Sequence, residues 1–180
     1  MELQEILNAI YRIPEASADR LASCSVRIDR PKGCRITGGR KGRNGPLLRS
    51  HGGLPEPIFR KGQRDNVLDS QEGTAIVSLR SYVCNGAGYE SVELMEDSSL
   101  YRLRRNDLDT LYREDIHIAN WGRKFAESEF LRTEERLIPL LFTTASERYE
   151  LLLTQHPDLL QRMPLECLAT YLGVTPVSLS

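Results

Sequence analysis

The sequence predicts an α+β protein with three parts in chain order: an antiparallel sheet, one long helix and a small all-α end. Short segments of alternating apolar residues lie within residues 1–113, and a continuous helical pattern covers residues 114–142. Residues 143–180 hold short helical patterns, the last two of which are separated by a glycine turn. We therefore expect domains at residues 1–113, 114–142 and 143–180.

Composition and charge exclude several classes of protein. The formal net charge is -1, so any affinity for nucleic acid must come from a local basic patch. No apolar run approaches the roughly 20 residues that span a bilayer, and the acidic start, MELQE, is unlike a secretory signal. We expect a cytoplasmic protein with no membrane partner.

The cysteines predict neither a metal site nor a cofactor. No two of them have the CxxC spacing of zinc or iron–sulfur sites. In a reducing cytoplasm we expect buried or half-buried free thiols. The four residues are Cys24, Cys34, Cys84 and Cys167.

The chain begins with helical patterns and continues with strands. Apolar residues at helical spacing over 2–12 predict a first helix, and Ser17 is expected to cap a second that runs through Leu21. Asn106 is expected to cap a helix after the strands. The predicted strands are 24–29, 74–79, 91–95 and 99–103, with a turn at 31–33, a loop at 85–88 and a hairpin joining the last two strands.

Residues 38–65 are predicted to be irregular. They hold seven of the 13 glycines and little periodicity, which is typical of a loop or disordered segment. The basic, glycine-rich stretch Gly38–Gly42 does not match a P-loop, which needs GxxxxGK followed by Ser or Thr.

The long helix carries one apolar stripe, formed by Ile118, Trp121 and Phe125. A lone helix cannot bury such a stripe, so it either packs on the sheet or pairs with a second copy. We assign these three residues to dimerisation. Pro139 is expected to kink or end the helix, and a further helix is predicted over 145–155.

Residues 163–180 predict a helix, a tight glycine turn and a second helix. Pro164 suits a helix start, and Gly173 suits the left-handed residue that ends a helix. Thr175 is a good N-cap and Pro176 a good first residue for the second helix. The positions expected to be buried are Leu165, Leu168, Ala169, Leu172 and Leu179.

In helix-turn-helix units the second helix lies in the major groove of DNA. Ser178 and Ser180 would then reach phosphates or base edges, beside Thr175 and Pro176. An ordinary helical hairpin within a core has the same spacing, so this alternative stays open.

Residues 160–180, LQRMPLECLATYLGVTPVSLS, resemble the winged-helix end of Crp/Fnr-type regulators, most of all those of Bacteroidetes. The resemblance covers residues 1–37 and 72–180. It implies a jelly-roll-like β-roll of the cyclic-nucleotide-binding kind, a dimerisation helix and a DNA-binding domain. The implied partners are double-stranded DNA, a second copy and a small-molecule effector. Further matching segments are 30–33, 88–94, 96–101, 133–137 and 144–149.

Three features depart from the family pattern. The family continues past the position of Ser180 with arginines, so we expect a recognition helix cut short and weak DNA binding. Arg80, Ser81 and Glu90 are candidate effector residues, but the full set that holds cyclic AMP is missing, so no cyclic-nucleotide response is expected. For residues 38–71 one hypothesis is a shifted reading frame, which would leave the β-roll without central strands.

No enzyme is expected. His51, His117 and His156 are isolated, and none has a nucleophile or carboxylate at useful spacing. The alternative to a DNA-binding regulator is a sensor or dimerisation fragment that does not bind DNA.

Overall fold

The structure is a computed structural model that describes residues 1–37, 45–51, 56–60, 63–68, 75–84, 90–155, 157–162 and 164–179. It confirms the predicted α+β class. The strands are β1 (Ser25–Arg30), β2 (Arg35–Thr37), β3 (Leu47–His51), β4 (Glu56–Arg60), β5 (Gln63–Leu68), β6 (Ala75–Ile76), β7 (Glu90–Glu93) and β8 (Ser98–Leu103). The helices are α1 (Leu3–Ile10), α2 (Glu15–Ser23), α3 (Leu79–Cys84), α4 (Arg105–Glu114), α5 (Ile116–Phe142), α6 (Ala145–Gln155), α7 (Pro157–Arg162), α8 (Leu165–Leu172) and α9 (Pro176–Leu179).

Two antiparallel sheets form a β-roll. One has the strand order β1-β8-β3-β6 and the other β2-β7-β4-β5. An apolar layer forms inside the roll because alternate residues of the strands face the same side. Its buried members are Leu47, Ile76, Val92, Leu94 and Leu100.

The prediction of an irregular segment over 38–65 is wrong where the structure describes it. Strand β3 lies between β8 and β6, and β4 lies between β7 and β5, so both are central strands. Backbone pairing with β7 and β8 overrides the weak side-chain pattern of this segment. The hypothesis of a roll without central strands is therefore wrong as well. The glycine-rich residues 38–44 lie outside the described residues.

The predicted hairpin of 91–95 with 99–103 is also wrong. Strands β7 and β8 both form, but β7 pairs with β2 and β4, whereas β8 pairs with β1 and β3. The chain crosses between the sheets at Leu94, whose buried side chain lies between them and whose N–H donates to Cys34 O at 3.0 Å. The strand predicted over 74–79 is shortened to β6, because Leu79 begins α3. The predicted loop at 85–88 is not among the described residues.

The caps predicted at Ser17 and Asn106 are wrong, since α2 and α4 begin earlier, after Pro14 and Arg104. The buried Ser17 hydroxyl instead donates to the Asp115 carboxylate at 3.0 Å. Asp115 caps α5 by accepting from the N–H groups of His117 and Ile118. Desolvation opposes its charge, but these hydrogen bonds and the Arg20 guanidinium outweigh it and lower the pKa of Asp115.

The long helix is confirmed as α5, and Pro139 does not end it, because the helix continues to Phe142. The assignment of Ile118, Trp121 and Phe125 to dimerisation needs correction, since all three are buried within the chain itself. Helices α1, α2 and α4 supply the apolar partners, and Trp121 Nε1 donates to Leu7 O at 3.0 Å. The first half of α5 therefore packs within its own chain, mainly against α1, α2 and α4, rather than pairing through this stripe with a second copy.

Candidate nucleic-acid interface

The turn after α8 has the geometry that the sequence predicts. Gly173 is left-handed, with φ 70° and ψ 33°. The Val174 N–H donates to Ala169 O at 2.9 Å and the Gly173 N–H to Thr170 O at 3.1 Å. This pair of bonds defines a Schellman ending, in which a residue without Cβ reverses the chain and satisfies helix carbonyls.

Helix α9 begins as predicted. Thr175 Oγ1 accepts from the Ser178 N–H at 3.3 Å, and Pro176 is the first helical residue. The side chains of Thr175, Pro176 and Ser178 are exposed, and Val177 exposes 85% of its surface. The start of α9 thus faces solvent. Ser180 lies outside the described residues.

The two helices share one small apolar core. Leu168, Ala169 and Leu172 are buried as predicted, and Val174 and Leu179 pack against this core. The predicted burial of Leu165 is wrong. This residue is 48% exposed, because the first turn of α8 extends past the edge of the core. Cys167, which was not among the positions expected to be buried, is buried in this core. Met95, from the loop between β7 and β8, also reaches this core.

Two arginines outside the sequence-predicted site hold the C-terminal end of α8. Arg148 Nε donates to Leu172 O at 2.8 Å, and its Nη1 donates to Pro139 O at 3.3 Å and to Thr143 O. Arg136 Nη2 donates to Tyr171 O, and its guanidinium lies 4.0 Å from the centroid of the Tyr171 ring. The last carbonyls of a helix carry partial negative charge and have no partner within the helix, which is why cations bind there.

Charge around the turn is unfavourable for a polyanion. Residues 143–180 contain four acidic and two basic side chains, and α9 contains neither kind. Arg148, one of the two basic residues, is engaged with carbonyl oxygens. The described part of this unit therefore lacks the basic patch that usually supplies phosphate affinity. The acidic residues are Glu147, Glu150, Asp158 and Glu166, and the other basic residue is Arg162.

The structure does not assemble the candidate effector residues into a described pocket. Arg80 and Ser81 are adjacent on α3, where Arg80 is exposed and Ser81 is buried. The Glu90 side chain lies outside the described part of the chain.

The buried Tyr82 ties α3 to two other helices, to α4 through the half-buried Tyr112 and to α5 through Gly122. The Tyr82 and Tyr112 hydroxyls are 2.7 Å apart, and Tyr82 also donates to Gly122 O at 3.4 Å. Burial raises the pKa of both tyrosines, so both are neutral at physiological pH. Gly122 is needed here, because a Cβ would lie 2.5 Å from Tyr112 Cζ.

The second half of α5 exposes a set of large apolar side chains, which we call the α5 apolar surface. Between 46% and 76% of each of these side chains is exposed. Several repeat at seven-residue spacing, so they lie along one broad face of the helix. The set comprises Phe130, Leu131, Leu137, Ile138, Leu141 and Phe142.

Nothing within the described ranges assembles a metal site from His, Cys, Asp or Glu side chains. His51 lies at the end of β3, His117 is exposed in the first turn of α5, and His156 is not described. Cys24 and Cys34 are half-buried and Cys167 is buried, as predicted for free thiols. Cys84 is exposed, so the prediction of a buried or half-buried thiol is wrong for this residue. Among the described helices, none is both long and apolar enough to cross a membrane.

Comparison with solved structures supports the fold. A Crp/Fnr-family protein from Eubacterium rectale matches with a TM-score of 0.73 at 14% identity, over 92% of this chain and 80% of that one. The catabolite activator protein of Thermus thermophilus matches with a TM-score of 0.58 at 22% identity, over 96% and 82% of the two chains. FixK2 of Bradyrhizobium japonicum matches with a TM-score of 0.65 at 15% identity, over 86% and 80%.

At this level of identity, the likeness shows the fold. The chain has the cyclic-nucleotide-binding β-roll with C-terminal helices that Crp/Fnr proteins have. No protein-family model and no curated protein sequence matches the chain.

Proposed function

We propose that this chain is a cytoplasmic transcription regulator of the Crp/Fnr type that binds DNA as a dimer through α8 and α9. Its proposed domains are the β-roll over 1–113, the dimerisation helix over 114–142 and the DNA-binding unit over 143–180. The observation that carries the proposal is the turn at Gly173, after which Thr175, Pro176 and Ser178 are all exposed. Their placement suits a helix that enters a groove.

The affinity for DNA is expected to be weak. Each phosphate contact by Lys or Arg contributes through counterion release, and α9 has no such side chain. The polar side chains there that can reach a phosphate are Thr175 and Ser178, whose hydroxyls lie 2.8 Å apart. We expect binding to duplex DNA with a shallow dependence on salt concentration.

Replacing Ser178 with Glu tests the role of α9 without disturbing its start. Glu at the third position of a helix that Thr caps completes a capping box, as Thr144 and Glu147 already do at α6. The variant should therefore keep its helix while placing a negative charge at the proposed phosphate contact. We expect S178E to lose duplex binding in a fluorescence-anisotropy titration at low salt.

The matched control is Thr110→Glu, which makes the same charge change at an exposed position of α4. It should retain nearly all of the binding, because α4 is not part of the proposed interface. Equal binding by S178E and the unchanged protein would overturn the proposed role of α9.

The proposed dimer uses the α5 apolar surface. Large apolar side chains clustered on one exposed face mark an interaction site, and two such helices can pair along their length. Leu141→Glu would place a charge in this surface, so sedimentation should show a shift from dimer to monomer. Val83→Glu, at an exposed apolar residue of α3, should leave the dimer intact. A monomeric unchanged protein would refute the proposal.

We also propose that any small-molecule effector is not cyclic AMP. The supporting observation is that Arg80 is exposed whereas its neighbour Ser81 is buried. This difference does not suit joint binding of one cyclic phosphate by the two side chains. Calorimetry with cyclic AMP and cyclic GMP should give no heat of binding. Saturable binding of either nucleotide would contradict this part of the proposal.

The second candidate is a sensor or dimerisation fragment that does not bind DNA. The excess of acidic over basic side chains in residues 143–180 favours it. The two candidates differ in the S178E titration: a protein of the second kind would show no duplex binding at low salt before or after the substitution.

A further inference from the structure

We propose that Arg136 and Arg148 are positioning residues that fix the direction of α9 relative to α5. The two side chains come from different helices, α5 and α6, yet both end at the last carbonyls of α8. The dimer surface and the DNA-contacting helix of the proposed function lie on the two sides of this junction.

Arg148 joins two helix ends through one guanidinium. It donates to Leu172 O at the end of α8, and to Pro139 O and Thr143 O at the end of α5. A planar guanidinium presents several donors in a fixed geometry, whereas a lysine ammonium on a flexible stem does not. Arg148 therefore constrains the relative placement of the two ends.

Arg136 adds a second constraint from the body of α5. It donates to Tyr171 O, and its guanidinium lies on the Tyr171 ring at 4.0 Å from the centroid. A hydrogen bond and a stacking contact to the same residue restrict both distance and rotation.

Leu140 completes the contact one helical turn after Arg136, on the same face of α5. Its Cδ2 atom is 3.0 Å from the position that a Cβ on Gly173 would occupy. The turn that starts α9 is thus seated directly against α5. Because α9 begins at Pro176, three residues after Gly173, its direction follows from this seating.

In a dimer, this arrangement would determine how far apart the two α9 helices lie. Regulators of this kind read two half-sites spaced by about one helical turn of DNA, roughly 34 Å. This consequence rests on the proposed function, whereas the positioning itself does not require DNA.

Residual dipolar couplings of backbone N–H groups test the inference on the full chain in the absence of DNA. In the unchanged protein, α5 and α8 should fit a single alignment tensor. In the double variant R136K and R148K, which keeps both charges, α8 should no longer share the tensor of α5. Hydrogen exchange of the Leu168 and Leu172 N–H groups should stay as slow as in the unchanged protein, because the core of the unit is intact.

Arg132→Lys is the matched control, since Arg132 lies one turn earlier on α5 and pairs with Glu129 at 3.1 Å. It should keep the single tensor. If the double variant unfolds α8, the same couplings are measured on the single variant R136K, in which Arg148 still donates to Leu172 O.

A single tensor retained in the Lys variants would overturn the inference. So would faster exchange in α8 with the tensor retained, which would mean a purely local stabilising role. Loss of duplex binding by S178E is independent of these couplings, so the two proposals can fail separately.

Discussion

Replacing Gly173 with Ala should loosen the turn that presents α9. At φ 70° an L-amino acid pays about 1–2 kcal/mol relative to glycine, because its Cβ approaches the backbone. The new Cβ would also lie 3.0 Å from Leu140 Cδ2, the end of a flexible side chain that can shift. The backbone cost therefore dominates, and 1–2 kcal/mol corresponds to about a five- to thirty-fold change in a local opening equilibrium.

Hydrogen exchange of the Val174 N–H measures this opening, because that group donates to Ala169 O at 2.9 Å only while the turn is closed. We expect G173A to exchange about five- to thirty-fold faster at Val174. Gly173→Asn should have a smaller effect, since asparagine adopts the left-handed conformation more readily.

Gly33→Ala is the control for backbone strain alone. Gly33 has φ 80°, and a Cβ there would meet no atom of the described residues within 4 Å. Its effect should be confined to the turn between β1 and β2, where the Gly33 N–H donates to Leu94 O at 2.8 Å. Unchanged exchange at Val174 in G173A would refute the reasoning, as would an equal effect of G33A at Val174.

Two further predictions concern the β-roll, whose core contains the only tryptophan, Trp121, as a fluorescent reporter. Asp115→Ala should lower the free energy of unfolding in urea by about 2–3 kcal/mol, since a helix cap is lost and the buried Ser17 hydroxyl loses its acceptor. Because the folded pKa of Asp115 lies below 3.8, its contribution is present at neutral pH and is lost as the pH falls through that lower value; D115N should lack this acid-dependent loss. Tyr82→Phe should cost about 1–3 kcal/mol by leaving the Tyr112 hydroxyl unpaired, and a double-mutant cycle with Y112F should recover part of that cost. Additive effects in that cycle would show that the two hydroxyls do not interact.

Local chemistry made the C-terminal unit predictable. Gly173, Thr175 and Pro176 each perform the role that their residue type favours at a helix end or start, and the neighbouring apolar positions fix the core. Trp121 and its stripe on α5 were also recognisable as buried. The surface that the stripe packs against could not be predicted, because an apolar face does not specify its partner.

The remaining errors have physical causes that act over long sequence distances. Pairing of β3 and β4 with β8 and β7 depends on strands far along the chain, and their own side-chain pattern is weak. The separation of β7 from β8 into two sheets depends on where Leu94 is buried. The Arg136 and Arg148 contacts join helices that are adjacent only after folding. In the sequence, charged residues at helical spacing predict ordinary solvent-exposed positions, so these contacts could not be predicted.

The most direct test of the proposed function is a map of the surface that touches DNA. Adding a random-sequence duplex to the isotope-labelled full chain at low salt should shift the amide signals of Thr175, Val177 and Ser178 and of the adjoining turn. Signals of the β-roll and of the first half of α5 should stay in place. Shifts confined to the β-roll, or no shift anywhere at millimolar duplex, would contradict a DNA-binding role for α8 and α9.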